Sequence, residues 1–178
     1  MTWNPQACLP TLSRRRLLRL GGAGACALGL GVLARRRVEA RRLVLRNPQS
    51  RTELDVVYRH DRDLVGPVIA QIDAFLCDPT GCGQHPTDPD LLDELHALSL
   101  AVRAAPVFEI VSGYRAQPDA DARASLHALG RAIDVRLVGV DCADLASAAL
   151  RIARGGVGYY RASNFVHLDT GARRSWRG

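Results

Sequence analysis

Hydrophobic positions recur along this 178-residue chain with two different periods, and the changes of period mark out its elements. "RRLVLRNPQSRTELDVVYRHD", residues 41–61, holds two short β-prone runs on either side of "NPQS", which predicts a hairpin. In "DLVGPVIAQIDAFL", Leu64, Val68, Ile69, Ile72 and Phe75 fall at helical intervals. "CDPTGCGQHPTDPD" is broken by Pro and Gly and predicts a loop. The amphipathic "DPDLLDELHALSLAVRAA" predicts a second helix, with Asp88 or Asp90 suited to accept the free N–H groups of its first turn.

Downstream the period shortens to two. "VFEIVSGYR" predicts a strand running into a turn at Gly113, and "RAIDVRLV" a second apolar strand. "DCADLASAALRIARGG" returns to helix, capped by Asp141 and ended at Gly155–Gly156. "VGYY" and "FVHLDTG" predict two further strands joined by the polar turn "RASN". Helices lead and strands dominate later, so the expected class is α+β, a mostly antiparallel sheet with helices packed on it.

The length suits a single core. A net charge of +6 points toward nucleic acid or a membrane surface, but its distribution says otherwise. Residues 1–40 hold seven arginines (Arg14, Arg15, Arg16, Arg19, Arg35, Arg36, Arg37) and one acid, Glu39. Residues 41–178 are therefore balanced, and every basic residue in the chain is arginine. A nucleic-acid partner loses its electrostatic footprint.

The leader "SRRRLLRLGGAGACALGLGVLA" offers paired arginines and then a weakly hydrophobic, glycine-rich run, the pattern of a twin-arginine export signal. A membrane anchor is the competing reading, weakened by the small residues that make a poor span. Cleavage behind Ala40 fits the small-residue rule. The expected division is a signal over 1–40 and a folded domain over 41–178, in the periplasm, monomeric and without a stable membrane span.

Five cysteines fall at 8, 26, 77, 82 and 142. "CDPTGC" either closes a small disulfide loop between Cys77 and Cys82 or holds two unrelated thiols. No second Cys or His pair accompanies them, which argues against a zinc ribbon. Cys142 is expected to pack as a small apolar residue.

"SLHALGRAID" brings in candidate chemistry, because His127, Asp134 and the later His167 are the residue types that hold a catalytic zinc. Two imidazoles and one carboxylate leave such an ion a net charge of +1 and an open position for water, so that it acidifies water and polarises a carbonyl. His127 falls in a turn before Gly130, Asp134 on the next strand and His167 on a neighbouring one. Alternation in "FVHLD" puts Phe165, His167 and Asp169 on one face, where Asp169 either serves as general base or orients His167. A lone strand histidine is more often surface or satisfied core. An aspartate between Ile133 and Val135 is harder to dismiss, since an unpaired carboxylate there is costly to bury.

Ser125-x-His127-x-x-Gly130-x-Ala132-x-Asp134, preceded by "SGYR" and followed by "GGVGYYRASNFVHLDTG", resembles the M15 family of zinc peptidases, and more narrowly its murein endopeptidase K group. The likeness spans nearly the whole chain and is strongest from Ile110 to Trp176. It implies a fold like that of the D-alanyl-D-alanine-cleaving peptidases and the hedgehog signalling domain. It implies zinc held by His127, Asp134 and His167, and peptidoglycan stem peptides as substrate, with 3–3 (L,D) crosslinks as the bond. Arg115 matches the arginine that such enzymes aim at a substrate carboxylate or oxyanion. A surface ion pair is the plainer reading of Arg115.

Two departures stand out. Several M15 enzymes carry a Glu or His three residues before the last ligand, where this chain has Asn164. The connection "AQPDADARA" is also shorter than in relatives. A D-alanyl-D-alanine carboxypeptidase and a non-catalytic zinc-containing peptidoglycan-binding module are the rival readings. His85 is expected to be a solvent-exposed loop residue, and His96 to pack or face water. Of Tyr159 and Tyr160 one is expected in the core, and Trp176 is expected to pin the terminus.

Overall fold

A computed structural model describes residues 38–77, 85–116 and 125–178. The export signal expected over 1–40, the Cys77–Cys82 pairing and most of "AQPDADARA" involve residues outside that set.

Eight strands form one mixed sheet in the order β3-β2-β1-β4-β5-β7-β6-β8. They are β1 (Ala40–Asn47), β2 (Thr52–His60), β3 (Asp63–Leu64), β4 (Val107–Ser112), β5 (Ala132–Leu137), β6 (Gly156–Tyr160), β7 (Phe165–Asp169) and β8 (Arg174–Arg177). Only β1–β4 and β6–β8 pair in parallel, so the sheet is mostly antiparallel, as the pattern implied. The helices are α1 (Gly66–Phe75), α2 (Pro89–Ala101) and α3 (Cys142–Ile152). Among the described residues, no helix is long and apolar enough to cross a membrane.

The β1–β2 hairpin turns at "NPQS", where the Asn47 side chain accepts the N–H groups of Gln49 and Ser50. Asp88 caps α2 by accepting from Asp90 N–H, and Asp141 caps α3 by accepting from Ala143 N–H. Two boundaries differ from expectation. Asp63–Leu64 pairs with β2 instead of joining α1, which leaves Leu64 exposed outside the core. Helix α3 stops at Ile152, before the glycines, because Ala153 is already extended and the Glu94 carboxylate captures the Arg154 N–H at 2.7 Å. Gly156 then opens β6.

Leu91, Leu92, Leu95 and Leu98 of α2, Ile72 of α1 and Leu145 of α3 pack with Leu43, Leu45, Phe108, Ile133, Val135, Val166 and Leu168 from the strands. Cys142 joins this core, and Tyr159 packs against it. Since side chains alternate along a strand, Asp134, His167 and Asp169 project from the opposite face. Gly155 lies against the backbone where β7 ends. A Cβ there would sit 1.7 Å from the Asp169 carbonyl oxygen. Backbone cannot yield as a side chain does, so Gly155→Ala is expected to cost about 2–3 kcal/mol, read as a Tm lower by several degrees. An unchanged Tm would mean that β6 and β7 do not approach so closely.

Candidate metal centre and active site

Strand pairing builds the site as a row across the sheet. Asp134 on β5 lies directly opposite His167 on β7, which lies opposite Gly158 on β6, which pairs with Trp176 on β8. On the other side Asp134 pairs with Ser112 through a bulge in β4 at Val111. Such a bulge bends the strand and re-aims the residues beyond it, here the turn Gly113–Arg115.

His127 enters from a single 3-10 turn, Leu126–Leu129, ended by Gly130 at φ +63°. Only a residue without Cβ fits there. The conformation is left-handed, and a Cβ would stand 2.2 Å from the Pro86 carbonyl oxygen. The turn drives His127 beneath the surface, 4% exposed, beside Asp134 at 4% and His167 at 9%.

One ligand atom from each of His127, Asp134 and His167 lies within 4.8 Å of the others. His127 Nε2 is 3.2 Å from His167 Nδ1 and 3.4 Å from Asp134 Oδ1, while His167 Nδ1 is 2.8 Å from Asp134 Oδ1. The outer nitrogens are committed elsewhere. His127 Nδ1–H donates to the Gly113 carbonyl at 2.8 Å, and His167 Nε2–H donates to Asp169 Oδ2 at 3.1 Å. With both outer nitrogens donating, His127 Nε2, His167 Nδ1 and Asp134 Oδ1 would turn three lone pairs on one buried point, where either a metal ion or a proton on His167 Nδ1 stands between them. Donors about 2.0–2.1 Å from a tetrahedral centre lie roughly 3.3 Å apart; the two spacings from His127 Nε2 match that value, and the 2.8 Å between His167 Nδ1 and Asp134 Oδ1 is a hydrogen-bond distance.

Burial pushes the Asp134 carboxyl up, but the contacts with His127 and His167 outweigh it and hold it well below the usual carboxylate range. Burial depresses His167, yet Asp134 and Asp169 overcome that and raise its pKa. The two shifts are those of a charge-assisted His167–Asp134 hydrogen bond, with Arg115 paired to Asp134 and Arg174 to Asp169.

Asp169 is completely buried. Its Oδ1 accepts from the N–H groups of Gly156 (3.1 Å) and Gly171 (2.8 Å) and from Arg174 Nη1 (3.1 Å). Its Oδ2 accepts from Arg174 Nη2 (2.7 Å) and from His167. Burial raises this carboxyl too, but those donors, His167 first, more than reverse it. Five donors occupy its lone pairs.

Arg115, expected to face a substrate, donates from Nη2 to Asp134 Oδ2 at 2.7 Å and from Nε to Ser112 Oγ at 2.8 Å. Its side chain keeps 40% of its surface open. Asn164 is a turn residue at φ +53° between β6 and β7, with no titratable proton. Ser125 starts the 3-10 turn through its carbonyl, and its hydroxyl makes no capping bond. His85 is half-buried and stacks on Tyr114 at 5.3 Å, and half-buried His96 meets the Arg42 carbonyl. Sequence reasoning missed Arg174, whose only signal was the terminal "RRSW", and the Gly113 carbonyl, which no side-chain pattern announces.

The chain belongs to the M15 peptidases. Within them, residues 35–176 match the Peptidase_M15_2 family, described as peptidoglycan L,D-endopeptidase MepK. The peptidoglycan L,D-endopeptidase MepK of Escherichia coli K12 is 32% identical over 176 residues, covering 92% of this chain and 97% of its own. The probable peptidoglycan L,D-endopeptidase MepK of Haemophilus influenzae is 31% identical over 183 aligned positions, covering 93% and 96%.

Proposed function

We propose that this protein is a zinc-dependent murein endopeptidase that hydrolyses peptide crosslinks of peptidoglycan, with L,D (3–3) crosslinks as the preferred bond. The convergence of His127 Nε2, Asp134 Oδ1 and His167 Nδ1 on one buried point carries this reading. His127 Nε2, Asp134 and His167 Nδ1 would hold the zinc, which when bound supplies Lewis acidity toward a carbonyl and acidifies water. The His127–Gly113 bond fixes one ligand's tautomer, and the His167–Asp169 bond fixes the other's. Arg115, beside Asp134 and partly open to solvent, would hold a substrate carboxylate or the developing oxyanion. Asp169 would act by orientation, since an oxygen crowded by donors has no lone pair to offer a water. The names of the relatives, the site and the sheet with helices on one face support a D-alanyl-D-alanine peptidase and hedgehog-like fold. The relatives' names also support peptidoglycan stem peptides as substrate and so action outside the cytoplasm; export to the periplasm by the twin-arginine leader and a monomeric state complete the proposal.

The donor-filled Asp169 and the amide at Asn164 favour a second reading, a zinc-containing module that binds peptidoglycan without cleaving it. Incubating the purified protein with crosslinked murein separates the two. The endopeptidase predicts conversion of crosslinked dimers to monomers, abolished by a chelator and restored by zinc. A zinc-loaded protein that releases no fragments would overturn the enzyme and leave the module.

A further inference from the structure

The site is completed from the sheet's edge. Strand β8 lies two strands away from His167, yet its Arg174 reaches back over β6 to the Asp169 carboxylate. The contact is bidentate, Nη1 to Oδ1 at 3.1 Å and Nη2 to Oδ2 at 2.7 Å. Gly156 makes the approach possible, since a Cβ there would stand 2.3 Å from Asp169 Oδ2 and 2.8 Å from Arg174 Nη1. The fork is held in turn. Nη1 also donates to the Ala172 carbonyl at 3.0 Å, and the guanidinium lies over the Trp176 ring at 5.1 Å. The indole rests on Gly158, donates from Nε1 to the Tyr160 hydroxyl at 3.0 Å, and stands with its centroid 5.1 Å from that of His167.

The two carboxylate oxygens depend on Arg174 unequally. Oδ1 keeps two backbone N–H donors without it, whereas Oδ2 would keep only His167. The carboxylate could then swing about its anchored oxygen, and the atom that aims His167 would lose its place. We infer that Arg174 is a positioning residue: its planar fork fixes Asp169 Oδ2, and through it the tautomer and direction of the His167 ring. The inference rests on reading His127, Asp134 and His167 as a zinc site. A lysine would restore the charge without the fork.

Zinc affinity, measured by competition with a chromophoric chelator, tests this alongside thermal denaturation of the metal-free proteins. Loss of the partner that orients a ligand weakens metal binding about 10–100-fold. That is the expected result for Arg174→Met, with the metal-free protein still folding cooperatively. Arg174→Lys, which also covers the case of a misfolded Met variant, is expected to recover only part of the loss. In an Asp169→Asn background, Arg174→Met should weaken binding further by less than about threefold, because its route to the metal is already cut. A purely structural role would give losses that multiply. Folded Arg174 variants that bind zinc like the wild type, or losses that multiply in the double variant, overturn the inference alone. A wild-type chain that takes up no zinc overturns the metal reading and this inference with it.

Discussion

His127→Ala is expected to abolish stoichiometric zinc binding and to cut murein hydrolysis by at least about a thousandfold, while the chain stays folded. The substitution removes one of three acceptors at the buried point and leaves His167 Nδ1 and Asp134 Oδ1 as a two-atom site. Two ligands do not hold zinc against solvent as three do. Lewis-acid assistance is worth several kcal/mol in the transition state, and each 1.36 kcal/mol is tenfold in rate, about a thousandfold in all. The stability cost is small by comparison. One buried hydrogen bond to Gly113 O is lost, about 1–2 kcal/mol. Elemental analysis after dialysis and muropeptide profiling are the measurements. A variant that keeps one zinc per chain at wild-type affinity would sink the assignment of His127 as ligand.

Replacing Asp169 has the next largest effect and separates two roles for that residue. Asp169→Ala leaves the Gly156 and Gly171 N–H groups, His167 Nε2–H and the Arg174 fork facing a void. Breaking a fully buried pair costs about 3–5 kcal/mol. The Arg174 side chain, 46% exposed, can turn to water, so the expected loss is about 2–3 kcal/mol. Zinc affinity should fall about 10–100-fold. Asp169→Asn keeps the shape and one acceptor, but sets an amide N–H against Arg174 in either orientation, and with it either His167 or the Gly156 and Gly171 N–H groups. With zinc added to saturation, an orienting residue predicts turnover for the Asn variant within about tenfold of the wild type. A general base predicts a deficit of about 10²–10⁴-fold that zinc does not repair. Turnover still below about 1% at saturating zinc would return Asp169 to the role of base.

Much of the frame was legible where the cause is local. The "NPQS" hairpin follows from turn chemistry confined to four residues, and the caps at Asp88 and Asp141 from side chains that reach their own first turns. The face shared by Phe165, His167 and Asp169 follows from the pleat. Misreadings came where a distant partner intervened. Glu94, 60 positions away, takes the Arg154 N–H and ends α3 early, and β2 recruits Asp63–Leu64 away from α1. The Arg174–Asp169 contact was also out of reach, because the short strand β8 is specified by its parallel neighbour β6 rather than by any period of its own.

The chain by itself determined which side chains are available to the site and which segments carry them, because residue type, turn chemistry and period act over a few positions. Tertiary structure alone decided that Asp134 stands opposite His167, that the bulge at Val111 brings the Gly113 carbonyl to His127, and that Arg174 closes on Asp169 from the sheet's edge. Register and edge pairing are set by contacts between segments dozens of residues apart. A shift of one residue in β7 would turn His167 into the core, although its sequence would be unchanged.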